Sequence, residues 1–196
     1  MNMRRFLLRA TLPMTLWALA ACSAQPAAQP PLAGARIGGP FALTDQNGRA
    51  VTDKDFAGKY RIMYFGYTFC PDVCPVDVQN ISAALKLVEG KDAALGQRIV
   101  PIFVTVDPAR DTPAVLKQFA SNFHPRLVAL TGAPDAIAKT AKEFGIYSAR
   151  GAGTKDGYLV DHSRQIYLMD PNGKPLALLP EWPPQAIADE IEKWAS

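Results

Sequence analysis

After residue 40, short continuous apolar runs alternate along most of the chain with stretches in which apolar residues recur at helical intervals. The runs that predict buried strands are residues 61–67, 99–106 and 127–130. Apolar residues at intervals of three and four predict helices after Cys74, from the capping pair Thr112-Pro113 and over residues 134–144. Strands joined through helices pair in parallel, so the pattern predicts an α/β domain with a mixed central sheet and flanking helices.

The two ends of this domain are predicted to carry antiparallel strands. Residues 41–44 and 50–52 flank a turn-rich connection, which predicts an N-terminal β-hairpin. A strong turn at residues 170–173 predicts a second hairpin before the final helix. Residues 150–155 contain two glycines and are expected to form a loop.

The beginning of the chain follows a different pattern. Residues 1–9 contain three arginines and no acidic residue. Residues 11–21 form an apolar run that is too short to span a membrane comfortably. The apolar run ends in small residues before Cys22, as at the cleavage site of a bacterial lipoprotein. We therefore expect residues 1–21 to be a lipoprotein signal peptide and Cys22 to be lipidated. A signal anchor, or ordinary cleavage that leaves Cys22 free, is the alternative.

Residues 22–36 are rich in Ala, Gln and Pro and carry little charge, which predicts a tether. The folded domain is then expected at residues 37–196. A protein of this layout is held by its lipid in the bacterial cell envelope and faces the periplasm, a compartment that permits disulfides.

The charge of the chain gives no reason to expect a nucleic-acid partner. The net charge is +3, but Arg4, Arg5 and Arg9 all lie in the predicted signal peptide. Without these three arginines the basic and acidic side chains are equal in number. A neutral domain lacks the basic surface that nucleic-acid binding requires.

Two cysteines stand where a predicted strand gives way to a helix. Pro75 fits the first helical position, which would place Cys74 near the N-cap, where free backbone N–H groups favour a thiolate. Three residues separate Cys70 from Cys74, so both sulfurs can face one point. The pair is compatible with a reversible disulfide, a two-thiolate metal site or a peroxidatic pair, and the plain alternative is an inert structural disulfide.

Two histidines are candidates for a third ligand beside thiolates that suit a soft metal such as copper or zinc. His124 ends a predicted helix, where a structural role is expected. His162 precedes the strand at residues 165–169, and in a thioredoxin-like arrangement that segment lies next to the thiol turn. Thiol oxidoreductases of that type place a cis-proline there and use the spacing C-x-x-C, whereas this chain has neither. Both differences favour metal binding over disulfide exchange.

Taken together, the motifs of the chain resemble those of the Sco/SenC family of copper-binding proteins. The resemblance covers most of the domain from residue 37 onward, and its motifs are residues 66–75, 106–113, 160–163 and 167–173. It implies a thioredoxin-like fold, with Cys70, Cys74 and His162 as ligands of Cu(I) or Cu(II). It also implies assistance in assembling the copper centre of cytochrome c oxidase.

The resemblance predicts a tethered copper chaperone rather than an enzyme. Its expected partners are the copper-binding subunit of the oxidase, other periplasmic copper carriers and a thioredoxin-like reductant. A thiol–disulfide reductase that uses Cys70 and Cys74 as a redox pair, or a copper or redox sensor, is the alternative. Near the site, Asp72 is expected in a turn or partner contact, and Asp161 either orients His162 or caps the turn. The residues expected to brace the neighbouring loop are Asp107, Arg110 and Asp111.

Overall fold

The computed structural model describes residues 28–154 and 157–195. The strands in this part of the chain are β1 (Ala42–Asp45), β2 (Ala50–Thr52), β3 (Tyr60–Gly66), β4 (Ile99–Thr105), β5 (Val128–Thr131), β6 (Ser148–Thr154), β7 (Gly157–His162), β8 (Ile166–Met169) and β9 (Pro175–Leu179). The helices are α1 (Val73–Lys91), α2 (Ala93–Gln97), α3 (Pro113–Ala120), α4 (Pro134–Glu143) and α5 (Pro184–Trp194).

Seven of these strands form one mixed sheet in the order β2-β1-β5-β4-β3-β8-β9. Strand β4 pairs in parallel with β3 and with β5, as the intervening helices predict. The remaining pairs of the sheet are antiparallel, including the hairpin of β1 and β2. The expected mixed sheet, flanking helices and N-terminal hairpin are therefore confirmed.

Both faces of the central strands are buried, which explains their continuous apolar runs. On β3, Ile62 and Tyr64 belong to the core cluster that includes residues of α1 and α5. Met63 and Phe65 point to the opposite face, where a second cluster includes residues of α4. Because side chains alternate along a strand, Arg61 faces the same side as Met63.

Two predicted details near the helices have different outcomes. Thr112 caps α3, and its hydroxyl accepts the N–H of Val115 at 3.4 Å, as expected. Helix α1 begins at Val73 and has Asp72 as its N-cap, so the prediction of Pro75 at the first helical position is wrong. Cys74 thus lies inside the first turn rather than at the cap.

The predicted loop at residues 150–155 is also wrong over its described part. Strand β6 continues to Thr154 and pairs antiparallel with β7, apart from the main sheet. The register shifts between Arg150 and Gly153, which accommodates the two glycines as an irregularity within a ribbon rather than as a loop.

The first described residues already contact the domain. The N–H of Leu32 donates to the carbonyl of Leu176 at 3.0 Å, so contact begins before the expected domain start at residue 37. The expected signal peptide and Cys22 lie outside the described residues. No helix in residues 28–154 or 157–195 has the length and apolar character needed to cross a membrane.

Candidate metal centre

Three potential metal donors come together at the carboxyl end of β3. Cys70 lies in the turn after β3, Cys74 in the first turn of α1 and His162 at the end of β7. Their donor atoms all lie within 4.8 Å of one another. The Sγ of Cys74 is 3.2 Å from Nε2 of His162, although 88 residues separate them. The structure therefore brings together the three residues that the sequence singled out.

The imidazole of His162 is held in the tautomer that a metal requires. Its Nδ1 lies 2.8 Å from the carbonyl oxygen of Ser163. A carbonyl can only accept, so Nδ1 carries the proton and Nε2 presents its lone pair toward Cys74. The ring of Tyr67 packs edge-on against the imidazole at 5.8 Å between centroids. Orientation comes from a backbone carbonyl, whereas the side chain of Asp161 is exposed.

The two thiols have opposite electrostatic environments. Burial raises the pKa of Cys74 to about 12. Burial also acts on Cys70, but N–H groups of Asp72, Cys74 and Val73 point at its sulfur and lower its pKa below the usual value. The helix start therefore favours a thiolate at Cys70, where the sequence had suggested Cys74. Cys70 is also the partly exposed member of the pair.

Gly66 makes room for the buried sulfur. It ends β3, and a Cβ at this position would lie 3.0 Å from Sγ of Cys74 and 3.1 Å from the ring of Phe103. Such contacts are tighter than nine in ten of those that real Cβ atoms make, so a larger residue would require the buried sulfur and ring to shift. A glycine at this point therefore lets Cys74 sit fully buried against the sheet.

A partly buried ion pair joins the helix that carries Cys74 to the segment that carries His162. Asp77, one turn along α1, accepts from the guanidinium of Arg164 at 2.9 and 3.2 Å. Its second partner is the hydroxyl of Tyr64, which donates to it at 2.8 Å. Arg164 also contacts Glu181 at 2.9 Å. This clamp, formed by Tyr64, Asp77 and Arg164, fixes two of the ligand-bearing segments relative to each other.

The loop beside the thiols is braced by Asp111, as expected. This carboxylate is fully buried and accepts from the N–H and hydroxyl of Thr68, two residues before Cys70, at 3.1 and 2.5 Å. It also accepts from the hydroxyl of Thr105 at the end of β4. Burial raises the pKa of Asp111, and the donated hydrogen bonds oppose that rise. The turn that carries Cys70 is thus tied to the next strand of the sheet.

The ribbon of β6 and β7 is attached to the same loop through Tyr158. Its hydroxyl donates to Asp107 at 2.8 Å, and its ring is stacked between the guanidinium groups of Arg110 and Arg150 at 3.7 and 3.6 Å from the centroid. Arg110 is in turn paired with Asp107. The expected ion pair of Asp107 and Arg110 is present, and through Tyr158 both residues contact the ribbon as well as the loop.

The remaining predicted residues lie outside the donor cluster. His124 is buried in a separate group, where Nε2 faces Glu89 at 3.2 Å and Nδ1 accepts the N–H of Arg126, which agrees with a structural role. Asp72 is exposed at the start of α1. The sequence analysis missed Asp77, Arg164 and Tyr158. No local motif marks them, because their partners are distant in the chain.

The donor set of two sulfurs and one imidazole nitrogen suits a soft metal. Thiolate and imidazole ligands favour Cu(I), Cu(II) or Zn(II) over hard ions such as Mg²⁺. Three donors leave a coordination position open to an incoming ligand. In the reduced, metal-free site the S–H of Cys74 faces Nε2 of His162, so a bound metal would replace one shared proton.

Comparison with known proteins identifies the family. The sequence profile of SCO1/SenC matches residues 29–196. The protein sco1 of Schizosaccharomyces pombe is 44% identical over 142 residues, which cover 71% of this chain and 53% of that protein. Protein SenC of Rhodobacter capsulatus is 44% identical over 139 residues, covering 71% of this chain and 61% of SenC. The chain thus spans little more than half the length of these relatives.

A solved structure agrees with this similarity. The ScoI protein of Bradyrhizobium japonicum with copper bound is 42% identical, with a TM-score of 0.73, and the match covers 81% of this chain and 99% of ScoI. The match also supports the thioredoxin-like fold expected from the sequence. On its sequence and its structure alike, the chain belongs to the SCO1/SenC family.

Proposed function

We propose that this chain is a tethered copper carrier that delivers its ion to the copper centre of cytochrome c oxidase. The observation that carries the proposal is the convergence of Cys70, Cys74 and His162, whose donor atoms lie within 4.8 Å of one another. Family membership supports it, as does the copper bound to the related ScoI protein. Copper is the cargo in this proposal, and the three side chains are its ligands.

The site geometry supports a stepwise uptake. Cys70 is partly exposed and has a lowered pKa, so it is the first donor that an arriving ion meets. Cys74 then loses its proton to solvent as its sulfur binds, and Nε2 of His162 completes the set. Two thiolates and one imidazole give Cu(I) three ligands and leave room for a ligand of the recipient. Copper would then pass to the recipient by ligand exchange, without release of a free copper ion.

Tethering belongs to the same proposal. Lipidation at Cys22 would hold the domain at a bacterial membrane with the site facing the periplasm. The oxidase subunit that receives copper, a periplasmic copper donor and a thioredoxin-like reductant are the partners this function requires. The reductant would return Cys70 and Cys74 to the thiol state after oxidation.

The unequal thiols also support a second candidate, a thiol–disulfide reductase. The thiolate of Cys70 would attack a substrate disulfide and release one substrate thiolate, forming a mixed disulfide. Cys74 would then lose its proton and attack Sγ of Cys70, which releases the second substrate thiolate. The product is a Cys70–Cys74 disulfide and a reduced substrate, such as the cysteine pair of an oxidase subunit.

Copper binding by the reduced protein tests the first proposal. We expect one copper per chain, loss of tight binding in Cys70→Ser, and loss of the imidazole contribution to the Cu(II) spectrum in His162→Ala. One ligand is worth on the order of 3 kcal/mol, more than a hundredfold in affinity, if the binding energy of a four-ligand zinc site is divided evenly. His124→Ala is the matched control, because it removes the other histidine of the chain.

The same variants separate the two candidates. A copper carrier requires His162, whereas a reductase that uses the thiols alone retains disulfide reduction in His162→Ala. Transfer of bound copper to a purified oxidase subunit completes the test. If the reduced parent binds no copper while Cys70 and Cys74 are intact, the carrier proposal is wrong. If it then reduces a disulfide substrate, the second candidate takes its place.

A further inference from the structure

A cavity lies at the opposite end of β3 from the thiols. Its volume is about 490 Å³. Its wall is formed by the glycine-containing segment 34–40, the turn at residues 172–175, and the side chains of Asp53 and Arg61. Arg61 is the second residue of β3 and lies five positions before Gly66, or about 17 Å along an extended strand. The cavity is therefore independent of the metal centre.

Arg61 is a buried cation without a carboxylate partner. Only 7% of its surface is exposed, and its Nε has no hydrogen-bond partner. Across residues 28–154 and 157–195, no ion pair involves its guanidinium. Burial lowers its pKa, while the more distant charges of Asp53 and Asp170 oppose that change. A buried guanidinium is normally paired, because leaving it unpaired is costly.

The charges around the cavity favour an anion. Arg36 and Lys174 line it with exposed side chains, and Asp53 is the acidic residue in its wall. The carboxylate of Asp170 is already engaged, since it accepts the N–H groups of Asn172 and Lys174 at 2.8 and 2.7 Å. Three lining cations therefore face the carboxylate of Asp53 in the wall and that of Asp170 nearby, which leaves the cavity with a net positive charge.

Glycine keeps the cavity open beside Arg61. A Cβ on Gly173 would lie 2.5 Å from Nη1 of Arg61, and Gly173 has a φ of +78° that disfavours other residues. Gly38 is similarly constrained, with a φ of +88° and a hypothetical Cβ 2.8 Å from the Cε of Met169. The backbone therefore approaches the guanidinium closely without side chains in between.

We propose that this cavity binds a phosphate group, with Arg61 as its central ligand and Arg36 and Lys174 at its rim. The planar guanidinium donates several N–H groups in a geometry that matches phosphate oxygens. Three surrounding cations suit a group that carries more than one acceptor oxygen. The phosphate is either free or the phosphodiester of an anionic lipid headgroup. The second source fits the position of the cavity, since segment 34–40 contains the last residues of the expected tether.

Titration of the full-length protein with two soluble probes tests this site. The probes are inorganic phosphate and glycerophosphoglycerol, which is the headgroup diester of an anionic phospholipid, and binding is followed by calorimetry. We expect one saturable site in the parent and at least tenfold weaker binding in Arg61→Gln. Tighter binding of the diester points to a lipid, and tighter binding of inorganic phosphate points to a free ion.

Because Arg61 is buried, its substitution could weaken binding through a folding defect, and substitutions of exposed lysines separate the two causes. Lys174→Gln removes one rim charge and should weaken binding about fivefold. Lys86→Gln removes an equal charge from the exposed side of α1 and should bind as the parent does. Copper binding by Arg61→Gln should be unchanged, which reports an intact fold independently of the phosphate site. The proposal is overturned if the parent binds neither probe saturably, or if Arg61→Gln and Lys174→Gln both match Lys86→Gln.

Discussion

The thiol turn and the histidine ribbon supply the donors of one site but are held in different ways. Cys70 lies in the turn after β3, a strand near the centre of the seven-stranded sheet, and Cys74 lies in the first turn of α1, which packs on the core. His162 ends a two-stranded ribbon that pairs outside that sheet. On this ribbon Val160 is buried, whereas Leu159 is half exposed. The core thus places the sulfurs, whereas the imidazole depends on a lightly attached ribbon and on one backbone carbonyl.

This difference assigns unequal tasks to the ligands. In the proposed copper carrier, a donor fixed by the core would keep its position when copper leaves, so the thiols would preserve the site between loading events. A donor on a lightly attached ribbon can move away at lower cost, because few buried contacts must be broken. We therefore expect exchange with a recipient to begin at His162. The predictions below test this division, beginning with the largest effect.

The two thiols should react with iodoacetamide at very different rates in the reduced, metal-free protein. Burial raises the pKa of Cys74 to about 12, whereas Cys70 has a pKa below its usual 9.0. At pH 8 the thiolate fractions then differ on the order of a thousandfold, and the Cys70 rate should exceed the Cys74 rate accordingly. As pH rises, the Cys70 rate should reach its plateau first, while the Cys74 rate keeps rising toward pH 12. Peptide mass spectrometry resolves the two sites.

The His162→Ala variant shows whether this inequality belongs to the thiol turn. If the turn alone sets it, Cys70 should still react far faster than Cys74 in the variant. Equal rates in the parent would contradict the assigned environments. Equal rates in the variant alone would mean that the ribbon, rather than burial against the sheet, keeps Cys74 protonated.

The clamp between the two regions should matter for both stability and copper coordination. Arg164→Ala leaves Asp77 buried without its cation, which should lower the free energy of unfolding by about 2 kcal/mol. This figure is below that for a fully buried pair, because the Arg164 side chain is 37% exposed. The Cu(II) spectrum should also change, since His162 lies two residues away. Denaturant unfolding and electron paramagnetic resonance measure the two effects.

Arg164→Lys and Glu181→Ala provide the matched comparison for the clamp. Lysine restores the charge without the bidentate contact, so it should recover part of the stability. Glu181→Ala removes the more exposed partner of Arg164 and should change stability little. An Arg164→Ala variant that unfolds more easily but keeps the parent Cu(II) spectrum would limit the clamp to a structural role.

The smallest expected effect concerns the other attachment of the ribbon. Tyr158→Phe keeps the ring between Arg110 and Arg150 but removes the hydrogen bond to Asp107. We expect a loss of about 1 kcal/mol, seen as faster hydrogen exchange of ribbon amides. Tyr147→Phe is the control, because the ring of Tyr147 is largely exposed. Equal exchange rates in both variants would mean that Tyr158 does not hold the ribbon.

The sequence predicts the parts of the molecule whose structure is decided locally. Strand β3, the turn and α1 follow from an apolar run, a proline-rich turn and helical spacing, so the thiols were placed at a strand–helix junction. The proximity of His162 to the two thiols follows from the expected thioredoxin-like topology, because the residues next to it in the sequence do not indicate it. The predicted helix start is wrong by two residues, which places the favoured thiolate at Cys74 instead of at Cys70.

Other features could not be predicted, because they depend on distant pairing. Asp77 and Arg164 are 87 residues apart, and in the sequence neither can be distinguished from an ordinary charged residue of the surface. Residues 150–154 have the composition of a loop and become a strand by pairing with β7. The group that orients His162 is a main-chain carbonyl, which every residue carries, so side-chain identity could not single it out.

The long separation between the ligands also has a consequence for how the protein is made. Cys74 and His162 are 88 residues apart, so closing that loop carries an entropic cost that only later contacts can offset. The thiol turn can form while the chain is still emerging from the ribosome, but its imidazole partner arrives much later. The complete three-donor site therefore exists only after the carboxy-terminal part of the domain has folded. Until then the chain carries a pair of reduced thiols without their histidine.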